Sequence, residues 1–100
     1  MRWPRAWAGL AMLAALALAS AAQAAAPIET VKFRSGDTKT TLVGYLFRPD
    51  GAGAHPAIVM LHGRSGPYSS QARGVYSVTT LSGRHLSWGR FWQEHGYVAL

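Results

Sequence analysis

The residues best placed to do chemistry lie in the stretch Ala57-Ile58-Val59-Met60-Leu61-His62-Gly63-Arg64. A short apolar run without alternation ends in a histidine and a glycine, and a polar loop follows. Such a run suits a strand covered on both faces, as in the centre of an α/β sheet. Open α/β sheets bind their ligands at the carboxyl edge of the strands. Gly63 lets the backbone come close to a bound molecule. A peptide N–H pointing into that crevice stabilises developing negative charge, and losing one such donor costs about 3 kcal/mol.

Other chemistries find less support in the residue types. His55, His62, His85 and His95 show no tight ligand spacing, and the chain has no cysteine, so no metal site is expected. The glycines around Gly63 and Gly66 lack the spacing and the lysine of a phosphate loop. No cofactor is expected. Tyr68, Arg73 and Tyr76 either line a substrate cleft or pack a surface loop. Trp88 and Trp92 are expected in the core rather than on a ligand platform. The basic residues Lys32, Arg34, Lys39, Arg48, Arg64, Arg73, Arg84 and Arg90 stand singly. They offer no track for phosphates, so no nucleic-acid partner is expected.

The elements that would position the 57–64 stretch can be read in order. Residues 28–34 form a strand with Val31 and Phe33 on one side and Thr30, Lys32 and Arg34 on the other. Ser35-Gly36-Asp37 is turn material, and residues 40–47 form a second strand, antiparallel to the first. Pro49-Asp50-Gly51 ends the hairpin. After the apolar run, residues 63–81 have no good period, and a structureless loop of that length is often functional. Ser82 can cap a helix from Gly83 to His95, with Leu81 packing at its start and Gly96 as a left-handed terminator. Trp88, Phe91, Trp92 and His95 fall along one broad face. Gly89, inside the helix, costs about 1 kcal/mol against alanine unless a close approach to the sheet requires it. Tyr97-Val98-Ala99-Leu100 begins another strand, parallel to residues 57–61 by right-handed crossover.

This order predicts an α/β fold: a hairpin, then one β-α-β unit. One helix covers only one face of two parallel strands, so several apolar side chains stay wet, each forgoing roughly 1.5–3 kcal/mol. Without disulfides a short chain also buries little surface. We therefore expect residues 25–100 to be the N-terminal part of a larger domain.

The first 24 residues read differently. Arg2 and Arg5 precede an apolar stretch over residues 6–19, and Ala22-Gln23-Ala24 has the small-x-small pattern of a signal-peptidase site. Ala24-Ala25-Ala26 is a second such site, so the cut falls after Ala24 or after Ala26. The apolar core is shorter than the roughly 20 residues of a membrane-spanning helix. Residues 1–24 are thus expected to be a signal peptide, and the mature protein secreted or periplasmic, without stable membrane insertion. Removing 24 residues takes two of the ten basic residues and none of the four acidic ones, leaving a mild +4.

The mature chain resembles the dienelactone hydrolase branch of the α/β-hydrolase superfamily. The resemblance runs through Gly44-Tyr45-Leu46-Phe47-Arg48-Pro49, Pro56-Ala57-Ile58-Val59-Met60-Leu61-His62-Gly63, Gly66, and Phe91-Trp92-Gln93-Glu94-His95-Gly96-Tyr97-Val98-Ala99-Leu100. It implies an incomplete α/β-hydrolase fold, in which the backbone N–H of Arg64 donates to the oxyanion hole. His62 and Gly63 would be its structural support. A small ester or lactone would be the substrate of a longer parent. The family's nucleophile, acid and catalytic histidine follow later in the chain. None is found here, and no Asp or Glu occurs between Asp50 and Glu94. These 100 residues alone are therefore expected to be inactive. The alternative reading is a non-catalytic α/β-hydrolase-like protein, secreted for binding or for a structural role.

Overall fold

The computed structural model describes residues 25–100. The expected signal peptide, residues 1–24, lies outside the described residues. Among the described residues no helix is long and apolar enough to cross a membrane.

Strand β1 (Glu29–Arg34) and strand β2 (Thr41–Leu46) form an antiparallel hairpin in which Glu29 faces Leu46 and Arg34 faces Thr41. The connecting turn is tied by Asp37, whose carboxylate accepts hydrogen bonds from Lys39 N (2.9 Å), Thr40 N (2.8 Å) and Thr40 Oγ1 (2.6 Å). These donors hold the Asp37 carboxyl well below the usual carboxylate range, the Thr40 hydroxyl contributing most. That local bonding fixes the turn, and with it the register of the hairpin.

Strand β3 (Ala57–Ile58) and strand β4 (Val98–Ala99) pair in parallel, joined by helix α1 (Gly83–Glu94). The parallel pairing and the intervening helix expected from the sequence are therefore present. The long connection before α1 is not structureless. It holds a single 3-10 turn at Val78–Thr80, capped by Ser77, and an antiparallel bridge between Tyr68 and Leu81. Ser82 caps α1 and accepts from His85 N, and Gly96 turns the chain out of the helix with φ +84°.

Two small sheets and one helix thus make a mixed α/β arrangement, and one bridge joins the sheets. Phe47 N donates to Ala99 O (2.8 Å) and Ala99 N donates to Phe47 O (3.0 Å). The strand order across both sheets is β1-β2-β4-β3, with β2 antiparallel to β4.

The Phe47 ring is the largest side chain completely withdrawn from solvent, at 2% exposure. It lies against the helix where Gly89 presents bare backbone. A Cβ built on Gly89 would fall 2.3–2.6 Å from three atoms of the ring. The glycine expected to mark a close helix-to-sheet approach does so. Tyr45, Leu81 and Ala99 complete the small core, and Ile28, Ile58, Met60, Leu86 and Trp92 pack around it.

Three expectations need correction. First, the strand foreseen over residues 57–61 is only two residues long. It pairs with β4 alone, so among the described residues it is the outermost strand rather than an interior one. A strand becomes interior only when something pairs with its second edge. Val59 and Leu61 are accordingly 64% and 86% exposed. Second, the inner face of α1 is not the aromatic one. Its buried residues are Gly89 and Gln93, while Trp88 and Phe91 are exposed. The ring of Phe47 already fills the space beneath the helix, so a glycine meets it. Third, of the two tryptophans expected in the core, only Trp92 packs there.

Gln93 is buried because it closes a polar network at the amino end of the fold. Its Nε2 donates to Arg48 O (2.6 Å), and its Oε1 accepts from Arg90 Nη1 (2.8 Å). Arg90 Nη1 also donates to Ala26 O (2.7 Å).

Substitution at Gly89 separates packing from helix propensity. Alanine gains up to about 1 kcal/mol of propensity in a helix interior, but overpacking costs typically 1–3 kcal/mol. We expect Gly89→Ala to lower stability, by about 1–2 kcal/mol in denaturant unfolding. Gly83→Ala, where an added Cβ meets no atom within 4 Å, should be neutral or stabilising. Equal effects at the two positions would contradict the Phe47 packing.

Candidate functional site

An open cleft of about 300 Å³ lies between β2 on one side and residues 59–62, running on from β3, on the other. Its walls are apolar, from Val43, Val59, Leu61 and Leu100, and its polar atoms come from Tyr45, His62, Tyr68 and His85.

Each polar group has a definite position. Tyr45 follows the inward alternation of β2 that also buries Phe47. Its hydroxyl lies 2.7 Å from the hydroxyl of Tyr68, which the long connection brings over the sheet. Burial, and secondarily the bond to Tyr68, pushes the Tyr45 phenol up to about 12. Tyr45 is therefore a neutral phenol near pH 7. Tyr76 packs its ring on Tyr68 (4.9 Å between centroids) but is itself exposed. Of the three loop residues considered from the sequence, Tyr68 lines this cleft, whereas Arg73 and Tyr76 bound a separate, more polar depression that Tyr68 also touches.

His85 sits in the first turn of α1, where its Nδ1 lies 2.7 Å from the Ser82 hydroxyl. The same Ser82 oxygen accepts the backbone N–H of His85 (3.4 Å). Ser82 Oγ thus bonds both the backbone N–H and the ring Nδ1 of His85, which fixes the orientation of the ring at the start of the helix. Burial first, then the charges of His62 and Arg84, lower the pKa of His85 from its ordinary value.

His62 and Gly63 shape the loop after β3. The His62 Nδ1 lies 2.7 Å from the Gly63 carbonyl, which also accepts Gly66 N (3.0 Å). Two donors on one carbonyl fix a tight turn with Arg64 and Ser65 at its centre. Gly66 closes the turn at φ +79°, a conformation that favours glycine. A Cβ on Gly63 would meet nothing within 4 Å, so open space lies before it. Arg64 is exposed, and among the described residues its peptide N–H has no hydrogen-bond partner in the protein. A free N–H on a fixed turn is what anion stabilisation needs, although bulk water also satisfies it.

His62 and His85 line one cleft, but among the described residues no three His, Cys, Asp or Glu side chains converge on a metal-sized site. The sequence reading missed the Ser82–His85 pair and the Tyr45–Tyr68 pair. The first carried a local signal, since a serine cap three residues before a histidine puts both at one helix end. The second carried none, because its partners are far apart in the chain.

Comparison with protein-family models, with characterised proteins and with solved structures finds no match for this chain.

The His85 environment gives a titration test. Its folded pKa lies below that of the unfolded chain, about 6.5. The neutral ring therefore contributes stability above pH 6.5, and that contribution is lost as the pH falls through the folded value. The His85 ring protons followed by NMR should titrate with a midpoint below 6.5. In His62→Ala the midpoint should rise towards the ordinary value but stay below it, because burial remains. An unchanged midpoint would remove His62 from the site.

Proposed function

We propose that this chain is the oxyanion-side, N-terminal part of an exported ester hydrolase of the dienelactone hydrolase type. The observation that carries the reading is the shape of the cleft. Phe47 faces Ala99 from β2, and Ile58 faces Ala99 from β3. Along these two ladders, Tyr45 and Met60 flank the position next after Leu100. Residues two apart on a strand direct their backbone groups to the same side. Tyr45 thus offers its N–H and C=O towards the cleft, as Phe47 does towards Ala99. Met60 N already bonds Leu100 O (2.7 Å). The register therefore leaves backbone for one further stretch of strand, antiparallel to β2 and parallel to β3.

A strand continuing there would raise the β4 end to the level of the Gly63–Arg64 turn. The bare side chains Val43, Val59 and Leu61 would gain cover from the rest of the domain. In this reading the Arg64 N–H is one of two oxyanion donors, and the nucleophile, the acid and the catalytic histidine come from the remainder. His62 holds the turn and transfers no proton. The substrate is a small ester or lactone, attacked through an acyl-enzyme. The resemblance in residues 28–100 supports the class. The marginal position of β3 does not add to that support, so the weight falls on the cleft.

Two measurements test this. Residues 1–100 alone should hydrolyse p-nitrophenyl acetate no faster than buffer, and turnover sensitive to a serine-directed inhibitor would refute the division of labour. In a polypeptide extended past Leu100, Arg64→Pro should lower kcat by about 10²–10³-fold while Arg64→Ala leaves it nearly intact.

Amide exchange reads the cleft directly. In the 100-residue chain the Phe47 N–H should be protected and the Tyr45 N–H open, whereas the extended polypeptide should protect both. Protection of Tyr45 in the short chain would show that the cleft is not a place for a strand.

A further inference from the structure

The mature end of the protein can be read from the network around Arg90. The sequence offers two processing sites, after Ala24 and after Ala26. The structure bears on the choice, because among the described residues the first hydrogen bond to the body is made by residue 26. Ala26 gives its carbonyl to Arg90 Nη1 (2.7 Å). Ile28 packs against the core, and Glu29 both pairs with Leu46 and bonds Arg48 Nε (2.7 Å). The Arg90 guanidinium that holds Ala26 is itself fixed by Gln93, which is 7% exposed and anchored on Arg48 O.

We infer that processing occurs between Ala24 and Ala25, and that Ala26 is retained as the residue docking the mature N-terminus onto α1. This inference rests on the export reading given above. Three observations favour it over a cut after Ala26.

Cutting after Ala26 removes the carbonyl that Arg90 holds and leaves one of its hydrogen bonds unmade. It also creates an α-ammonium on Pro27, close to where the guanidinium binds. Two cations would then meet where a cation and a carbonyl dipole now do. A cut after Ala24 puts the new ammonium on Ala25, which is exposed and beyond the first bond to the body. Finally, the bond after Ala26 is an Ala–Pro imide. Proline lacks an N–H and fixes its own φ, so it fits poorly in a peptidase that grips substrate as an extended strand through main-chain hydrogen bonds.

The test uses the full 100-residue chain, expressed in a bacterial host that exports it. Intact mass and N-terminal sequencing of the exported product should give Ala25-Ala26-Pro27. A product starting at Pro27 overturns the inference but leaves the export reading standing. A product that still starts at Met1 overturns both.

A variant separates the two sites. Ala22→Lys spoils the first pattern and leaves Ala24-Ala25-Ala26 intact. It should accumulate precursor, at least tenfold over wild type, rather than shift the cut. Efficient release of a product starting at Pro27 from that variant would show that the second site is competent and would refute the assignment. In the processed wild-type protein, Arg90→Met should make the first four residues several-fold more sensitive to added endoprotease. The Glu29–Arg48 pair remains to hold the strand. Unchanged cleavage would remove Arg90 from its docking role.

Discussion

The fold depends on one ring lying against one glycine. Phe47 ends the hairpin, and its backbone makes the two hydrogen bonds that attach the hairpin to β4. Its side chain fills the space under α1, which only a residue without Cβ leaves open. Position and packing are therefore coupled: the ring sets the height of the helix, and the bridge sets the height of β2 against β4. A small core of this kind, with Tyr45, Leu81 and Ala99 as its other members, has little redundancy. Deleting a buried Phe side chain costs about 3–5 kcal/mol, a large share of the stability of a small domain.

The electrostatic character of the cleft follows from what the chain omits. No carboxylate occurs between Asp50 and Glu94. Burial pushes the Tyr45 phenol up and lowers His85, so both of these groups favour their neutral forms. The titratable side chains of the cleft are therefore imidazoles and phenols, with no carboxylate among them.

Much of the scaffold was legible because its signals are local. The hairpin alternation, the Ser82 cap, the Gly96 terminator and the meaning of Gly89 were all read within a few residues of their own positions. The errors share one cause. The apolar run over residues 57–61 states what it would do in a completed sheet, but strand length depends on partners, and only β4 supplies them. The aromatic stripe on α1 has helical spacing, yet a helix buries whichever face fits the opposing surface, and Phe47 had already shaped that surface. The Tyr45–Tyr68 bond joins residues 23 apart in the chain, a pairing no local pattern encodes. For the site, His62, Gly63 and Arg64 do meet in one turn, while Ser82 and His85 became visible only through their geometry.

The single bridge between hairpin and β4 has a mechanical consequence. β2 forms one wall of the cleft and residues 59–62 form the other. β2 is fastened to β4 at Phe47–Ala99 and to the long connection by the bond between the Tyr45 and Tyr68 hydroxyls, while Met60 N fastens the other wall to Leu100 O. Beyond those fastenings, among the described residues, no backbone hydrogen bond runs directly from one wall to the other. A segment that bonded to both walls would therefore supply the direct cross-link that the ladder leaves out at this level, and the two sheets would become one continuous surface.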